Sequence, residues 1–511
     1  MGDALSEAPA ADAGASQALA AAYDALPYVS LPFAQSHPDR LATLAQLFGM
    51  TPAPPGRCRV LELGCASGGN LLPMAEALPD SDFTGIDISP VQIEAGRSDL
   101  AALGLANVRL QCVDLTRFDP GDVRYDYIVA HGVLSWVPEA ARERLFALCG
   151  ERLAPGGVAY ISYNTLPGWH TRGAIRDAMR YQVRRFTDPA VQIQQARALI
   201  EFFAEALAAD SSGFGALVRD EAARLRQQPD FYLFHDHLET VNVAFHFHQF
   251  MEHATRHGMR YLAEADFRRM LGHDLAPAVN ARLAQVAPDL LQREQFLDFL
   301  RNQTFRETLL VRREVELTRT LVPQRLQDLH VSTRARPERA QPDERGPGSE
   351  TFRMADGSAL STQRPLTKAA MMTLAGRSPA TLPFDVLCEQ AAQRLGAADP
   401  VEPERMAVAS DLLQAFAVGA VELHAMPSPF TLDPGERPRA SAMARLQAAR
   451  GRQVANRRHE WITLDEDSRR ALVRLEGRRD RRELATEFGV DEGALAPMLE
   501  ALARQALLVA A

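Results

Sequence analysis

Apolar and polar positions change period several times along the chain. Between residues 58 and 163, short apolar runs (58–64, CRVLELG; 82–89, DFTGIDIS; 107–113; 125–130, YDYIVA; 158–163, VAYISY) alternate with stretches whose apolar residues recur at helical spacing (70–78, 90–103, 139–153). Short apolar runs bounded by Gly, Pro and Asp read as buried strands, and the 3.6-residue period between them reads as amphipathic helix. Regular alternation of the two predicts parallel strands joined by helical crossovers, and hence an α/β fold.

The pattern then changes. Residues 172–230 are rich in Arg and Ala at helical spacing without strand alternation, which predicts a helical insertion. Strand signals resume after an amphipathic helix stopped at Gly258, and TFRETLLVRREV (304–315) reads as the last strand. The polar, Pro-, Arg- and Glu-rich stretch 331–350 reads as part of a linker. Helical segments near 366–376, 384–395, 402–419, 467–476, 480–488 and 491–505 predict a mostly helical, winged-helix-like module after it. The expected division is a flexible N-terminus (1–22), a cofactor-binding core (23–171), a helical insertion for regulation or dimerisation (172–240), completion of the sheet (241–320), a linker (321–350) and the C-terminal module (351–511).

A length of 511 residues exceeds what one core usually supports, and 46% apolar with 24% charged residues is the balance of a packed globular protein. Five scattered cysteines without a C-x-x-C pair suggest neither a disulfide framework nor a zinc knuckle, and fit a reducing cytoplasm. The N-terminal residues have neither the basic nor the apolar segment of a signal peptide, and no run reaches membrane-spanning length. Gly2 and Ser6 match a myristoylation pattern, but without a polybasic second anchor the match reads as coincidence. A net charge of -9 disfavours nucleic acid as the principal partner, and the arginines between 437 and 482 are interspersed with acids, as on a solvated or interdomain face. Lys368 is the single lysine, so arginine carries nearly all the positive charge.

The strongest chemical signal is VLELGCASGGN, a strand ending in Glu62, Gly64 and Gly68 that leads directly into a helix. Glycines at such a turn allow positive φ and close backbone approach, so that a cofactor lies against the main chain at the carboxyl edge of the sheet. Asp87 ends the second strand, where a carboxylate can accept hydrogen bonds from ribose hydroxyls, and Asp114 ends the third, where it can accept from an adenine amine while Ile88 and Leu115 sandwich the ring. A dinucleotide is the rival ligand. Ala66 argues against it, because it puts a methyl group where that fingerprint needs a second glycine for the pyrophosphate.

E-x-G-x-x-x-G with acids after strands two and three resembles the class I S-adenosylmethionine (SAM)-dependent methyltransferases, whose usual motif has a middle glycine where Ala66 stands. YDALPYVSLPFAQSHPDRL (23–41), AHGVLSWVP (130–138), YISYNTLPGWH (160–170), HDHLE (235–239) and EQFLDFLRNQTFRETLL (294–310) narrow the likeness. They are similar to bacterial methyltransferases carrying a methyltransferase regulatory domain, whose best-known members methylate lysines of outer-membrane proteins.

The resemblance spans roughly residues 23–320 and, more loosely, the C-terminal module. It implies a Rossmann-like class I methyltransferase sheet, SAM as cofactor, a homodimer, and an amine on a protein substrate, such as an outer-membrane protein before export. The alternatives are a small-molecule methyltransferase and a SAM-binding regulatory protein without turnover.

The cofactor-contacting set expected on this basis is Tyr28, Phe33, Glu62, Gly64, Cys65, Gly68, Asn70, Asp87, Ile88, Gln92, Asp114, Leu115 and His131. Tyr23, Tyr28 and Phe33, with Gln35 and His37, would form a cap over the cofactor; the other reading is a helix-packing arm. His131, Trp136, Tyr163, Asn164, Trp169 and His170 follow strands four and five, so they are candidates to line the acceptor channel, where aromatic faces can hold a methylammonium. Trp136 and Trp169 would otherwise simply pack the helices that follow. His235, Asp236 and Glu239 are expected to shape the acceptor side. The run of histidines from 235 to 257 lacks a carboxylate-rich ligand set, and no metal is expected.

Overall fold

The computed structural model describes Gly14, residues 19–272 and residues 274–510. Gly2, Ser6 and most of 1–22 lie outside the described residues. Residues 19–22 instead begin a helical segment that runs to residue 25, with Leu19 buried.

A seven-stranded sheet organises the first part of the chain. Its strands are β1 Arg59–Leu63, β2 Asp82–Asp87, β3 Val108–Cys112, β4 Tyr125–Ala130, β5 Leu153–Asn164, β6 Met259–Glu264 and β7 Phe305–Arg312, in the order β3-β2-β1-β4-β5-β7-β6. The first five are parallel, and β7 lies antiparallel between β5 and β6. The order reverses at β1, so the loops leaving β1 and β4 diverge and open a crevice at the carboxyl edge.

Helices α1 Pro38–Leu47, α2 Leu71–Ala77, α3 Pro90–Leu103 and α4 Glu139–Arg152 flank this half of the sheet. α3 shows why its bounds are so readable: Ser89 Oγ accepts from Gln92 N (3.1 Å), Pro90 opens the first turn, and Gly104 closes the helix at φ +65°. Helices α5 Gly168–Val183, α6 Pro189–Ala206 and α7 Gly213–Arg226 form the insertion, with a small core of their own around Met179, Ala196, Ile200 and Val218. A single π-helical turn, Leu233–Leu238, leads back to α8 Phe247–Arg256; α9 Pro277–Val286 and α10 Leu290–Arg301 precede β7.

Strand alternation splits the sheet's side chains between two cores. Leu61, Leu63, Ile128, Ile161, Tyr163 and Leu310 pack with residues of α4 and α8. Val60, Tyr127, Val129, Tyr160, Leu309 and Val311 face the other way, onto α1, α2 and a long downstream segment that supplies Val331, Phe352, Phe384, Leu412 and Phe416.

That second core corrects the expected linker. β8 His330–Ser332 is the middle strand between β12 Leu382–Pro383 and β13 Glu422–His424, while β9 Arg336–Pro337, β10 Glu350–Arg353 and β11 Ala359–Thr362 form a second small sheet. Val331, Ser332, Thr333, Ala335 and Glu350 are buried. A polar composition hides these strands because they are only two to four residues long and five of their thirteen residues are Ser, Thr or Glu. Helices α11 Pro365–Arg377, α12 Phe384–Leu395 and α13 Glu402–Ala417 complete this layer.

The last part has a separate core around Ala444, Val454, Leu472, Leu484, Leu499 and Leu508. It comprises α14 Ala442–Arg450, α15 Glu466–Arg474, α16 Arg481–Phe488 and α17 Glu492–Arg504. A hairpin of β15 Gln453–Ala455 and β16 Trp461–Thr463, and the pair β14 Arg439–Ala440 with β17 Leu508–Val509, accompany them. All five cysteines are free.

Candidate cofactor and acceptor site

The turn from β1 into α2 sets the cofactor end of the crevice. Gly64, Ala66 and Gly68 take φ of +72°, +48° and +77°. At Gly64 a Cβ would stand 2.5 Å from Val133 Cγ2, so glycine is required there. Ala66 is the one L-residue of the three, and a left-handed backbone costs it about 1–2 kcal/mol. Its N–H recovers part of this by donating to Asp87 Oδ2 at 2.8 Å. A Cβ at Gly69 would lie 2.1 Å from Ser30 O, so this glycine is what lets the N-terminal segment close onto the turn. Gly69 N donates to Ser30 Oγ at 2.7 Å.

Asp87 accepts from Ser89 N (2.9 Å) with its other oxygen, and burial raises its carboxyl above the usual range. Glu62 is more deeply buried: Oε1 accepts from Asn70 Nδ2 at 2.7 Å, and Oε2 has no partner. Burial pushes its carboxyl up to about 8, with nearby Asp87 adding to the effect and Asn70 opposing it. A buried carboxylate oxygen left unpaired is costly, and a ligand ammonium is the group that would satisfy it. Asp114 Oδ1 accepts from Thr116 N (2.8 Å) and Oγ1 (2.7 Å), which fixes the carboxylate at the mouth of β3.

These groups line one cavity of about 400 Å3. Tyr28 and Phe33 come to it from the N-terminal segment, and Glu62, Gly64, Cys65 and Asn70 from the end of β1. Asp87, Ile88 and Gln92 follow β2, Asp114 and Leu115 follow β3, His131 and Trp136 follow β4, and Asn164 and Trp169 follow β5. Tyr23 lies flat on His235 (4.4 Å, 6°) and lines the same cavity, so Tyr23, Tyr28 and Phe33 all form part of its wall. Gln35 and His37 lie outside it.

Of the expected cofactor-contacting and acceptor-channel residues, three stand elsewhere. Gly68 shapes the turn against Leu72 and Leu110 without reaching the cavity. Tyr163 is one strand position before Asn164 and therefore points to the opposite face, where it stacks on Phe250 (4.1 Å) and its hydroxyl meets Thr308 Oγ1 at 3.2 Å. His170 is exposed on the first turn of α5, its ring 6.2 Å from His246.

The structure adds residues that sequence reading missed. Ser30 and Val29 reach the cavity through the closed N-terminal segment, and Arg172 and Tyr232 reach it from the insertion. No local pattern marks them, since their place depends on how the insertion folds back.

His131 is fixed in its protonation state. Tyr160 donates its hydroxyl to Glu307 Oε1 (2.9 Å), so His131 Nδ1–H donates to Tyr160 Oη at 2.8 Å and Nε2 carries the lone pair. Burial lowers this imidazole to about 3, which makes it a neutral wall and a poor proton acceptor.

At the acceptor end, Trp136 and Trp169 meet edge to face at 6.3 Å. Trp169 Nε1 is buried without a partner. Asn164 Nδ2 donates to Asn242 Oδ1 at 3.0 Å. The π-helical turn brings His235 and Asp236 to the same space, with His235 Nε2 2.6 Å from Leu26 O. Burial pushes the Asp236 carboxyl up to about 7. Glu239 stays outside the cavity, 3.7 Å from His235 Nδ1. His253 and His257 both bond to Glu143 (2.7 and 3.0 Å), and among the described residues no cluster of His, Cys, Asp and Glu is arranged to hold a metal.

Residues 60–157 match the family described as a methyltransferase domain, 229–312 the predicted methyltransferase regulatory domain, and 436–491 the PKMT C-terminal winged helix domain. Two uncharacterized proteins of Rickettsia prowazekii are similar. RP789 is 41% identical over 299 residues, covering 58% of this chain and 54% of that protein, so the chain spans about half of its length. RP028 is 35% identical over 240 residues, covering 47% of this chain and 96% of that protein. The structure of PKMT2 from Rickettsia typhi in complex with AdoHcy superposes with a TM-score of 0.84 at 25% identity, over 95% of this chain and 100% of that one.

The chain belongs to the SAM-dependent methyltransferases with a methyltransferase regulatory domain. SAM is the cofactor of this family, and the residues present fit it. Glu62 Oε2 is a buried acceptor without a partner, which suits an ammonium, and Asp87, Ile88, Asp114 and Leu115 line the same cavity at the ends of β2 and β3, a donor set that suits hydroxyls and an apolar ring.

Proposed function

We propose that the protein transfers a methyl group from SAM to the side-chain amine of a lysine on a protein substrate. The observation that carries this reading is the acceptor end of the cavity, where two buried indoles stand beside a carboxyl group held near neutrality. SAM, when bound, supplies a methyl group on a positively charged sulfur.

A lysine ammonium of pKa about 10.4 must first lose a proton, which costs about 4.6 kcal/mol at pH 7. Asp236 takes that proton, and the aromatic wall excludes water and favours the neutral amine by desolvation. The faces of Trp136 and Trp169 then hold the methylammonium product by cation–π attraction. Asn164, anchored on Asn242, orients the amine by hydrogen bonding, so that much of the rate comes from positioning. The likeness to PKMT2 over nearly the whole chain and the PKMT-type C-terminal domain support a protein acceptor.

A second reading rests on Arg172. Its guanidinium at the cavity wall would suit a small carboxylate-bearing acceptor. Radiolabelled SAM incubated with bacterial membrane and soluble fractions separates the two: label in protein bands, located on lysine by mass spectrometry, supports the first reading, and label only in small molecules supports the second. Cofactor binding without any labelled product would leave a regulatory SAM-binding protein.

The same reading places the protein in the cytoplasm as a homodimer that meets outer-membrane proteins before export. Large exposed aromatics on the insertion, Tyr181, Phe202 and Phe214, support self-association. Most of the arginines of 437–482 form ion pairs within the chain, as in Arg450 with Asp99, Arg469 with Glu466 and Arg474 with Glu487, which lowers the charge available to nucleic acid.

A further inference from the structure

The winged-helix domain reaches a residue that lines the cofactor end of the cavity, Asn70, through the side chain of His459. His459 lies in the turn of the β15–β16 hairpin, buried, with its Nε2 2.7 Å from Asn70 Oδ1. Asn70 Oδ1 also accepts from Phe33 N at 2.9 Å, while its Nδ2 donates to Glu62 Oε1 (2.7 Å) and to Ser36 Oγ (3.0 Å). Three parts of the chain that are far apart in sequence thus meet on one amide: the cap, the β1 turn and the C-terminal domain.

We propose that His459 is a positioning residue for the cofactor: by donating to Asn70 Oδ1 it fixes which way the Asn70 amide faces, so that Glu62 Oε1 is held and Oε2 is presented to the amino group of SAM.

An amide can present its oxygen or its NH2 to a given side, and the two orientations are similar in shape. With Phe33 N–H and His459 Nε2–H aimed at one end of Asn70, only the oxygen can lie there. The NH2 must then face the Glu62 carboxylate, the one arrangement in which every partner is matched. Removing His459 leaves the Phe33 amide (2.9 Å) and a longer contact from Ser36 Oγ (3.4 Å) on the buried oxygen, which loses its shortest donor. Burial keeps the His459 imidazole neutral, so it serves as a single directed donor; the other ring facing it is His37, at 5.2 Å.

The backbone around His459 is built to hold it there. Its φ of +62° is the left-handed region, which costs a non-glycine residue about 1–3 kcal/mol and persists where surrounding contacts impose it. The turn is pinned from several sides: His459 N donates to Asn456 O (3.0 Å), Asn456 Nδ2 to Gln505 O (3.1 Å) and Arg457 N to Ala506 O (2.8 Å). Arg458 pairs with Glu422. The domain itself docks on the helices that follow the cofactor turns, with Ser441 Oγ and Ala442 N both donating to Glu76 of α2 (2.6 Å each) and Arg450 Nη1 bonding Asp99 of α3 at 2.9 Å.

The test uses the full-length protein and calorimetric titration with S-adenosylhomocysteine, which reads the cofactor site whatever the acceptor is. His459→Ala is expected to bind about tenfold more weakly, the loss of one buried hydrogen bond, with a higher KM for SAM and little change in kcat. His459→Gln, which keeps a neutral N–H donor, is expected to recover most of the affinity. His459→Asn tolerates the left-handed backbone but is too short to reach Asn70, so it should fold as well as the parent and still bind weakly, even if the alanine variant folds poorly. Hydrogen exchange in the ligand-free protein should speed up over residues 62–70 in the Ala and Asn variants and not in the Gln variant. Parental affinity in His459→Asn, or equal losses in the Gln and Ala variants, would overturn the proposal.

Discussion

Phe33 lies face to face with His131, the two ring centroids 3.6 Å apart and their planes 23° from parallel. One ring belongs to the N-terminal segment and the other to the end of β4, so this stack spans the cofactor cavity from its cap to its sheet edge. Because His131 is also held by Tyr160, it is a rigid surface for the cap to close on.

Phe33→Ala removes the stack while leaving the backbone bond from Phe33 N to Asn70. Aromatic pairs contribute about 0.5–1.5 kcal/mol beyond their buried area. Affinity for S-adenosylhomocysteine is expected to fall about three- to tenfold by calorimetry, with a faster dissociation rate in stopped-flow measurements. Unchanged affinity and off-rate would mean that the cap does not close over the ligand.

Glu62 should set opposite trends in stability and binding. In the ligand-free folded protein it keeps its proton up to about pH 8, against an ordinary value of 4.5. The folded state therefore binds more protons than the unfolded one between those values, and stability falls as pH rises through that window. Glu62→Gln removes this dependence, so its melting temperature should match the parent's near pH 4 and exceed it increasingly toward pH 8. The same variant should bind S-adenosylhomocysteine at least about tenfold more weakly, because a neutral amide faces the ligand's ammonium. A variant that binds as tightly as the parent would remove Glu62 from the site.

Asp236 should govern the pH profile of transfer. Its carboxyl is held up to about 7 by burial, so the proton-accepting form accumulates as pH rises through neutrality, and kcat/KM should rise with it. Asp236→Asn should lower kcat by about 10²–10⁴ and flatten the profile, with cofactor affinity retained. An intact inflection near pH 7 in the variant would assign it to another group.

Self-modification should be absent. Lys368 is fully buried on α11, its Nζ donating to Asp343 O (3.1 Å) and Gly346 O (2.7 Å). Incubation of the native protein alone with radiolabelled SAM should leave Lys368 unmodified by peptide mass spectrometry, while the unfolded chain presents it freely. Methylated Lys368 in folded protein would show that the 343–346 turn opens on the timescale of turnover.

The sequence displayed the sheet far better than the contacts across it. YDYIVA and the capped helix from Pro90 to Leu103 coincide with observed elements because local signals decide them: a compact apolar run in one, Ser, Pro and Gly at the ends of the other. The acids Glu62, Asp87 and Asp114 lie at strand ends, so their convergence follows from a parallel sheet alone. Tyr163 was misplaced by one step of strand parity, which apolar content does not reveal when both faces of a strand are buried. His459 and Asn70 are 389 positions apart, and nothing local to either records the other. The strands within 331–350 were hidden because their buried members are largely Ser, Thr and Glu, satisfied by hydrogen bonds such as Thr333 Oγ1 to Ala420 O (2.6 Å).

The shared interior of β7 and the segment after it bears on how such a chain can exchange parts during evolution. Leu309 and Val311 are covered by the layer that includes Val331, Phe384 and Leu412, so a crossover at residue 320 would strip water-shy surface from both pieces at once. The stretch 427–438, between that interior and the closed core of the winged helix, offers a seam where recombination would disturb few packed side chains. Fusions and exchanges of the terminal domain among relatives should succeed when joined there, provided the incoming piece brings a histidine to the place of His459.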